Sequence, residues 1–171
     1  MKKFLILGAA VISFMAACKK SNVDVYDPYP QYKIDSANIQ AYLQQKGISA
    51  EMDSLGFFYK ITQPGTGTDT IPSTSYYITA GYKGYTLNGT VFDGNDSTNF
   101  SKAPVYYLVP GWYLGLRHIT KGGKITLYLP SFFAYGQRSF NFNYNNQSGT
   151  VPANSPLIFE INLMDFAKAA N

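Results

Sequence analysis

Few side chains in this sequence could do covalent or proton chemistry. Cys18 is the only cysteine and His118 the only histidine among 171 residues. A lone imidazole with no second histidine and no thiol nearby cannot assemble a tetrahedral zinc site. His118 follows a short helical stretch, and it reads as a helix-surface residue near a C-terminal end, where a cation is favoured. The serines never fall in a G-x-S-x-G nucleophile elbow, and neither a P-loop nor a dinucleotide fingerprint occurs. Asp93 and Asp96 could form a carboxylate pair or hold calcium weakly, but Gly94 and Asn95 between them favour a plain loop. No metal and no cofactor is expected. Abundant instead are 15 Tyr, 12 Phe and one Trp.

Cys18 has a different setting. Met1-Lys2-Lys3 precedes an apolar run from Phe4 to Ala17, a pattern read as a secretory leader. The run is too short for a membrane span of about 20 residues. Its end, Met15-Ala16-Ala17-Cys18, resembles the bacterial lipobox, which implies cleavage before Cys18 and a diacylglycerol on its thiol. Three acyl chains on the mature terminus would anchor it firmly, since one alone binds marginally. With no second cysteine there is no disulfide, and the fold must stand on its core.

The elements that position any site come next. Apolar residues are 46% of the chain and charged residues only 14%, which excludes a disordered charged tail and argues against a coiled coil. The net charge of +4 falls by two once Lys2 and Lys3 leave with the leader, too little to suggest nucleic acid. Residues 19–32, with Pro28 and Pro30, read as an extended tether. Residues 34–47 read as one helix, with Asp35 or Ser36 as cap, Ile39, Tyr42 and Leu43 on one face and Gly47 as stop. Strands are expected over 57–62, 76–82, 90–93, 105–109, 124–129 and 157–163, with a short helix over 112–119. Residues 94–102 and 137–150 read as loops, though Phe140, Phe142 and Tyr144 alternate and could form a hydrophobic lip that grips unfolded chains. The pattern predicts an α+β fold, an antiparallel sheet wrapped around one short helix. It divides into leader (1–17), tether (18–33), helical extension (34–54) and main domain (55–171).

Four segments in order resemble the FKBP-type peptidyl-prolyl isomerases. Tyr82-Lys83-Gly84-Tyr85-Thr86-Leu87-Asn88-Gly89-Thr90-Val91-Phe92-Asp93 is similar to the family's Y-x-G-x-L-x-(D/N)-G-x-x-F-D. Gly111-Trp112-Tyr113-Leu114-Gly115-Leu116 is similar to G-W-x-x-G-L. Pro130-Ser131-Phe132-Phe133-Ala134-Tyr135-Gly136 resembles P-x-x-L-A-Y-G. Val151-Pro152-Ala153-Asn154-Ser155-Pro156-Leu157-Ile158-Phe159 resembles I-P-x-N-x-x-L-x-F. The likeness covers roughly residues 56–166 and does not reach the tether.

That family's chemistry suits these residue types. An X-Pro bond turns slowly because amide resonance sets a barrier of about 18–20 kcal/mol. Rotation breaks the resonance and needs no nucleophile, metal or cofactor. An apolar cup can favour the twisted amide, while a few polar groups orient the carbonyls. The resemblance implies Trp112 as the floor under the proline ring and Tyr82, Phe92 and Phe159 as walls. It also implies Asp93 as a buried polarising carboxylate and Tyr135 as a carbonyl-binding hydroxyl. Val109 would offer a backbone N–H and Val151 an apolar loop contact. Val105 stands where members usually carry phenylalanine, in a stretch shorter than usual. One wall should therefore be thinner, and a phenylalanine at 105 should raise the rate.

The expected partners are proline-containing polypeptides and, through Cys18, a membrane. The expected place is the cell envelope, lipid-anchored at the outer membrane and facing the periplasm. A non-catalytic binding module with the same fold is the alternative from another class. A surface carbohydrate-binding lipoprotein is a weaker third, suggested only by the Tyr and Asn richness.

Overall fold

The computed structural model describes residues 27–100 and 104–168; the leader, Cys18 and most of the tether lie outside them. The chain runs α1 (Tyr29–Lys46), β1 (Glu51–Met52), β2 (Phe58–Gln63), β3 (Tyr76–Thr86), β4 (Val91–Asn99), α2 (Pro110–Leu116), β5 (Lys124–Leu129), β6 (Phe140–Tyr144), β7 (Gln147–Val151) and β8 (Leu157–Lys168). Six strands form one antiparallel sheet in the order β1-β2-β5-β8-β3-β4, and β6-β7 is a separate hairpin. This is the expected α+β architecture.

Period-2 side-chain alternation divides the core between the two faces of the sheet. Tyr59, Leu127, Phe159 and Gly84 stand side by side across β2, β5, β8 and β3. Tyr59, Leu127 and Phe159 belong to the larger core, which includes Trp112 and Leu116 of α2. One position along, Phe58, Tyr128, Ile158 and Tyr85 form the neighbouring row on the opposite face. There Ile39 and Leu43 of α1 cover Phe58, Tyr128 and Ile158. Fully burying a residue such as Ile39 or Leu43 contributes about 1.5–3 kcal/mol.

Helix α2 seats directly on β5. A Cβ added at Gly111 or Gly115 would run into the side chains of Leu129 and Leu127. These glycines, one turn apart, let the helix approach closely enough for Trp112 to reach the sheet.

Several expectations change. Helix α1 begins at Tyr29, inside the stretch read as an extended tether. Pro30 falls in its first turn, where the missing N–H would have no helical partner anyway, and Tyr29 N–H donates to Asp27 Oδ1 at 3.0 Å. Asp35 is not a cap. It is 1% exposed, and its Oδ2 accepts the Ser131 backbone N–H at 2.7 Å while Oδ1 accepts from Gln31 Nε2 at 2.7 Å. The extension is thus bonded to the segment that leads to Tyr135.

Residues 94–99, read as loop, continue β4 in a bulged register with β3. They are polar because they belong to an edge strand with little to cover it. Residues 105–107 are a 3-10 turn rather than a strand. Residues 140–151 form the β6-β7 hairpin, closed by Asn145 and Asn146 at φ 47° and 62°. Positive φ at both central residues is the two-residue turn that matches strand twist.

Candidate active site

The site is built where β3, β4, α2 and β8 converge. Gly84 has no side chain between the rings of Phe92 and Phe159; a Cβ there would lie 2.8 Å from one and 2.9 Å from the other. That gap lets the two rings meet edge to face at 5.8 Å. Trp112 packs against Phe159 at 5.6 Å and against Tyr82 at 5.2 Å, each nearly perpendicular. Above them opens a cavity of about 200 Å³ bordered by Tyr82, Asp93, Phe100, Val109, Trp112, Tyr135, Arg138 and Phe159, among others.

Polar groups mark its rim. The Tyr82 hydroxyl donates to Asp93 Oδ2 at 3.1 Å, and Asp93 Oδ1 accepts the Gly94 N–H at 2.8 Å. Burial, and then the Asp93 carboxylate, push the Tyr82 phenol well above its usual value of 10.0. Burial and Asp93 also raise Tyr135, and the Arg138 cation partly offsets this. Both phenols therefore remain donors at neutral pH. Val109 begins α2, and its carbonyl accepts the Trp112 N–H at 2.9 Å. The Trp112 indole Nε1 is buried with no hydrogen-bond partner.

A phenol whose folded pKa is raised holds its proton longer in the folded chain than in the unfolded one. Its stabilising contribution is whole below pH 10 and is lost as pH climbs from 10 toward the folded value. Tyr85, which donates to Glu160 at 2.8 Å, behaves alike, with burial as the first cause. Thermal melting from pH 7 to 12 should therefore show a flat transition temperature up to about pH 10 and a fall beyond it. Tyr82→Phe and Tyr85→Phe should each shallow that fall.

Of the nine residues expected at the site, Tyr82, Asp93, Val109, Trp112, Tyr135 and Phe159 border the cavity. Three do not. Phe92 is 4% exposed behind Phe159 and Phe140. Val151 is 2% exposed and pairs with Phe140 in the hairpin. Val105 is 1% exposed in the core, not on a wall. A phenylalanine at 105 would overpack that core, so Val105→Phe should cost about 1–3 kcal/mol in a denaturant melt. A ring at 105 would enter that core rather than the cavity, so the rate should not rise.

The aromatic wall is instead Phe100, 5.8 Å from Trp112 and 5.9 Å from Tyr82. It is the one aromatic residue in the polar stretch 94–102, and that isolation is the sequence signal for its place at the site. Asp93 is exposed rather than buried, because β4 is the sheet edge. Asp93 to Asp96 lie in this paired strand, not in a cation-binding loop. His118 is partly buried beyond α2, stacked on Tyr59 at 4.1 Å with Nε2 2.9 Å from Asp53 Oδ2. It is thus not a free helix-surface residue, and it does not border the cavity.

The alternating aromatics of β6 turn inward. Phe140 lies 4.4 Å from the Tyr135 ring and 5.5 Å from Phe92. The Tyr144 hydroxyl lies against Gly94. The hairpin thus backs the site.

Comparison with protein-family models matches residues 68–164 to the FKBP-type peptidyl-prolyl cis-trans isomerases. The chain belongs to this family. Among curated relatives, the FKBP-type isomerase FkpA of Buchnera aphidicola subsp. Schizaphis graminum is 35% identical over 131 residues, 74% of this chain and 46% of that protein. FkpA of Escherichia coli K12 is 30% identical over 134 residues, 76% of this chain and 44% of that one. The chain thus spans less than half the length of these relatives. The crystal structure of Escherichia coli FkpA superposes with a TM-score of 0.61 at 28% identity, over 83% of this chain and 65% of that chain. A Pseudomonas syringae pv. tomato peptidyl-prolyl isomerase shares the fold, with a TM-score of 0.62 at 21% identity over 84% of this chain and 98% of that one. FKBP-type isomerases act on proline-containing polypeptides.

Proposed function

We propose that this chain is a peptidyl-prolyl cis-trans isomerase assisting protein folding in the bacterial cell envelope, held to the outer membrane, facing the periplasm, by lipid on Cys18. One observation carries the catalytic reading. Trp112, Tyr82, Phe100 and Phe159 enclose one cavity whose rim holds Asp93 and Tyr135. A proline ring enters over Trp112. The aromatic walls exclude water and favour the twisted amide, which has lost its resonance and is less polar than the planar form. The Tyr135 hydroxyl donates to one substrate carbonyl, and the Val109 N–H donates to the next. Asp93, with Tyr82 bonded to it, sets a fixed negative potential beside the rotating bond. No proton is transferred.

Proline isomerisation takes tens to hundreds of seconds uncatalysed, long enough for an unfinished envelope protein to aggregate. The test is refolding of a protein whose slow phase is prolyl isomerisation. The full chain should shorten that phase, and an unchanged slow phase would contradict the reading. For the anchor, Cys18→Ala should move the protein out of the membrane fraction. If the variant sediments with membranes as wild type does, Cys18 is not the anchor.

A further inference from the structure

Seven large apolar side chains among the described residues are more than half exposed. Four of them, Tyr29, Met52, Leu55 and Phe132, border a single groove of about 480 Å³. It lies between the start of α1, the turn from β1 to β2 and the 3-10 turn Ser131–Phe133. It shares no lining residue with the catalytic cavity. An apolar cluster of this kind marks a surface meant for contact.

The groove offers little to a polar ligand. Its one carboxylate, Asp53, is already engaged: Oδ2 lies 2.9 Å from His118 Nε2, and Oδ1 accepts the Leu55 N–H at 2.7 Å. The position of the chain's anchor indicates the occupant. Pro28 and Tyr29 form one edge of the groove, and only nine residues separate them from Cys18. Even fully extended, such a linker reaches about 35 Å. One cation stands at the same edge, where Lys33 Nζ lies 4.6 Å from the centre of the Tyr29 ring. In sequence, Lys19 and Lys20 directly follow Cys18.

We propose that this groove is a bilayer-docking face, whose Tyr29, Met52, Leu55 and Phe132 enter the headgroup boundary of an anionic membrane. The proposal rests on the reading that Cys18 carries lipid. The Tyr29 ring, apolar with one polar end, suits that boundary, and Lys33 beside it adds attraction to anionic headgroups, as do the two lysines that follow the anchor in sequence. The anchor holds the face at high effective concentration, so shallow insertion suffices. Residues 132–135 join the groove to the catalytic cavity, because Phe132 borders the first and Tyr135 the second. Docking therefore fixes the orientation of the cavity relative to the membrane.

The experiment uses the full chain matured in a bacterial host, with Cys18 acylation read from its intact mass. Acylation blocks the native thiol, so Phe132→Cys supplies a single free one for an environment-sensitive fluorophore. Lys60→Cys, exposed on β2 of the six-stranded sheet, is the control site. On vesicles of phosphatidylethanolamine and phosphatidylglycerol, the label at 132 should shift to the blue and be quenched by lipids spin-labelled near the headgroup. The label at 60 should do neither, and adding Leu55→Ser should weaken the response at 132. A mass without acyl groups refutes the anchor, and the proposal with it. An acylated, vesicle-bound protein whose label at 132 stays water-exposed refutes docking alone. A shift that scales with protein density, or that requires added unfolded polypeptide, would assign the groove to a second copy or to substrate and overturn the proposal.

Discussion

Replacing Asp93 with valine should lower kcat/KM on a proline peptide by about ten- to a hundredfold while leaving the far-ultraviolet circular dichroism unchanged. The magnitude follows from losing a hydrogen bond to a charged group, about 1.5–3 kcal/mol, at roughly 1.4 kcal/mol per tenfold in rate. The fold should survive because Asp93 is exposed on an edge strand. Tyr82 donates to this carboxylate and packs on Trp112. Tyr82→Phe should therefore give part of the same loss, and the double variant should be little worse than Asp93→Val alone, because paired groups are not additive. Fully additive losses would mean that the two act separately. A single-variant effect below twofold would remove Asp93 from the mechanism.

A large stability effect far from the cavity should come from Asp35→Ala. The substitution leaves the buried Ser131 N–H without its acceptor. An orphaned buried donor costs about 1–3 kcal/mol, which lowers the melting temperature of a domain this size by about 2–10 °C. Asp35→Asn keeps an acceptor oxygen and should recover part of the loss. Because Ser131 opens the turn that leads to Tyr135, kcat/KM should fall as well, by less than for Asp93→Val. Unchanged melting would mean that the extension is energetically independent of the domain.

Where pattern and chemistry agreed, the sequence was readable. Strand β5 alternates over Lys124-Ile125-Thr126-Leu127-Tyr128-Leu129 and forms as expected. Five of the six cavity residues, all but Val109, came from motif order, which no periodicity would have supplied. The misreadings share a cause, in that local composition was overruled by long-range pairing. Polar residues 94–99 are a strand because β3 offers a partner edge. The Asn145-Asn146 turn after the alternating Phe140, Phe142 and Tyr144 is a hairpin signal that the Asn-rich composition of this stretch hides. Asp35 fits a cap by local pattern, but its buried partner, the Ser131 N–H, lies 96 residues away. Family position suggests a wall at 105, whereas the residue directly after β4, Phe100, delivers the ring beside Trp112.

The central claim is that the cavity over Trp112 turns X-Pro bonds, and the most direct measurement is isomerisation of a tetrapeptide containing one proline. The folded chain should accelerate it above the uncatalysed rate in proportion to its concentration, with Asp93→Val slower and His118→Ala unchanged. No acceleration by a chain shown to be folded would contradict the account and leave the non-catalytic binding module in its place.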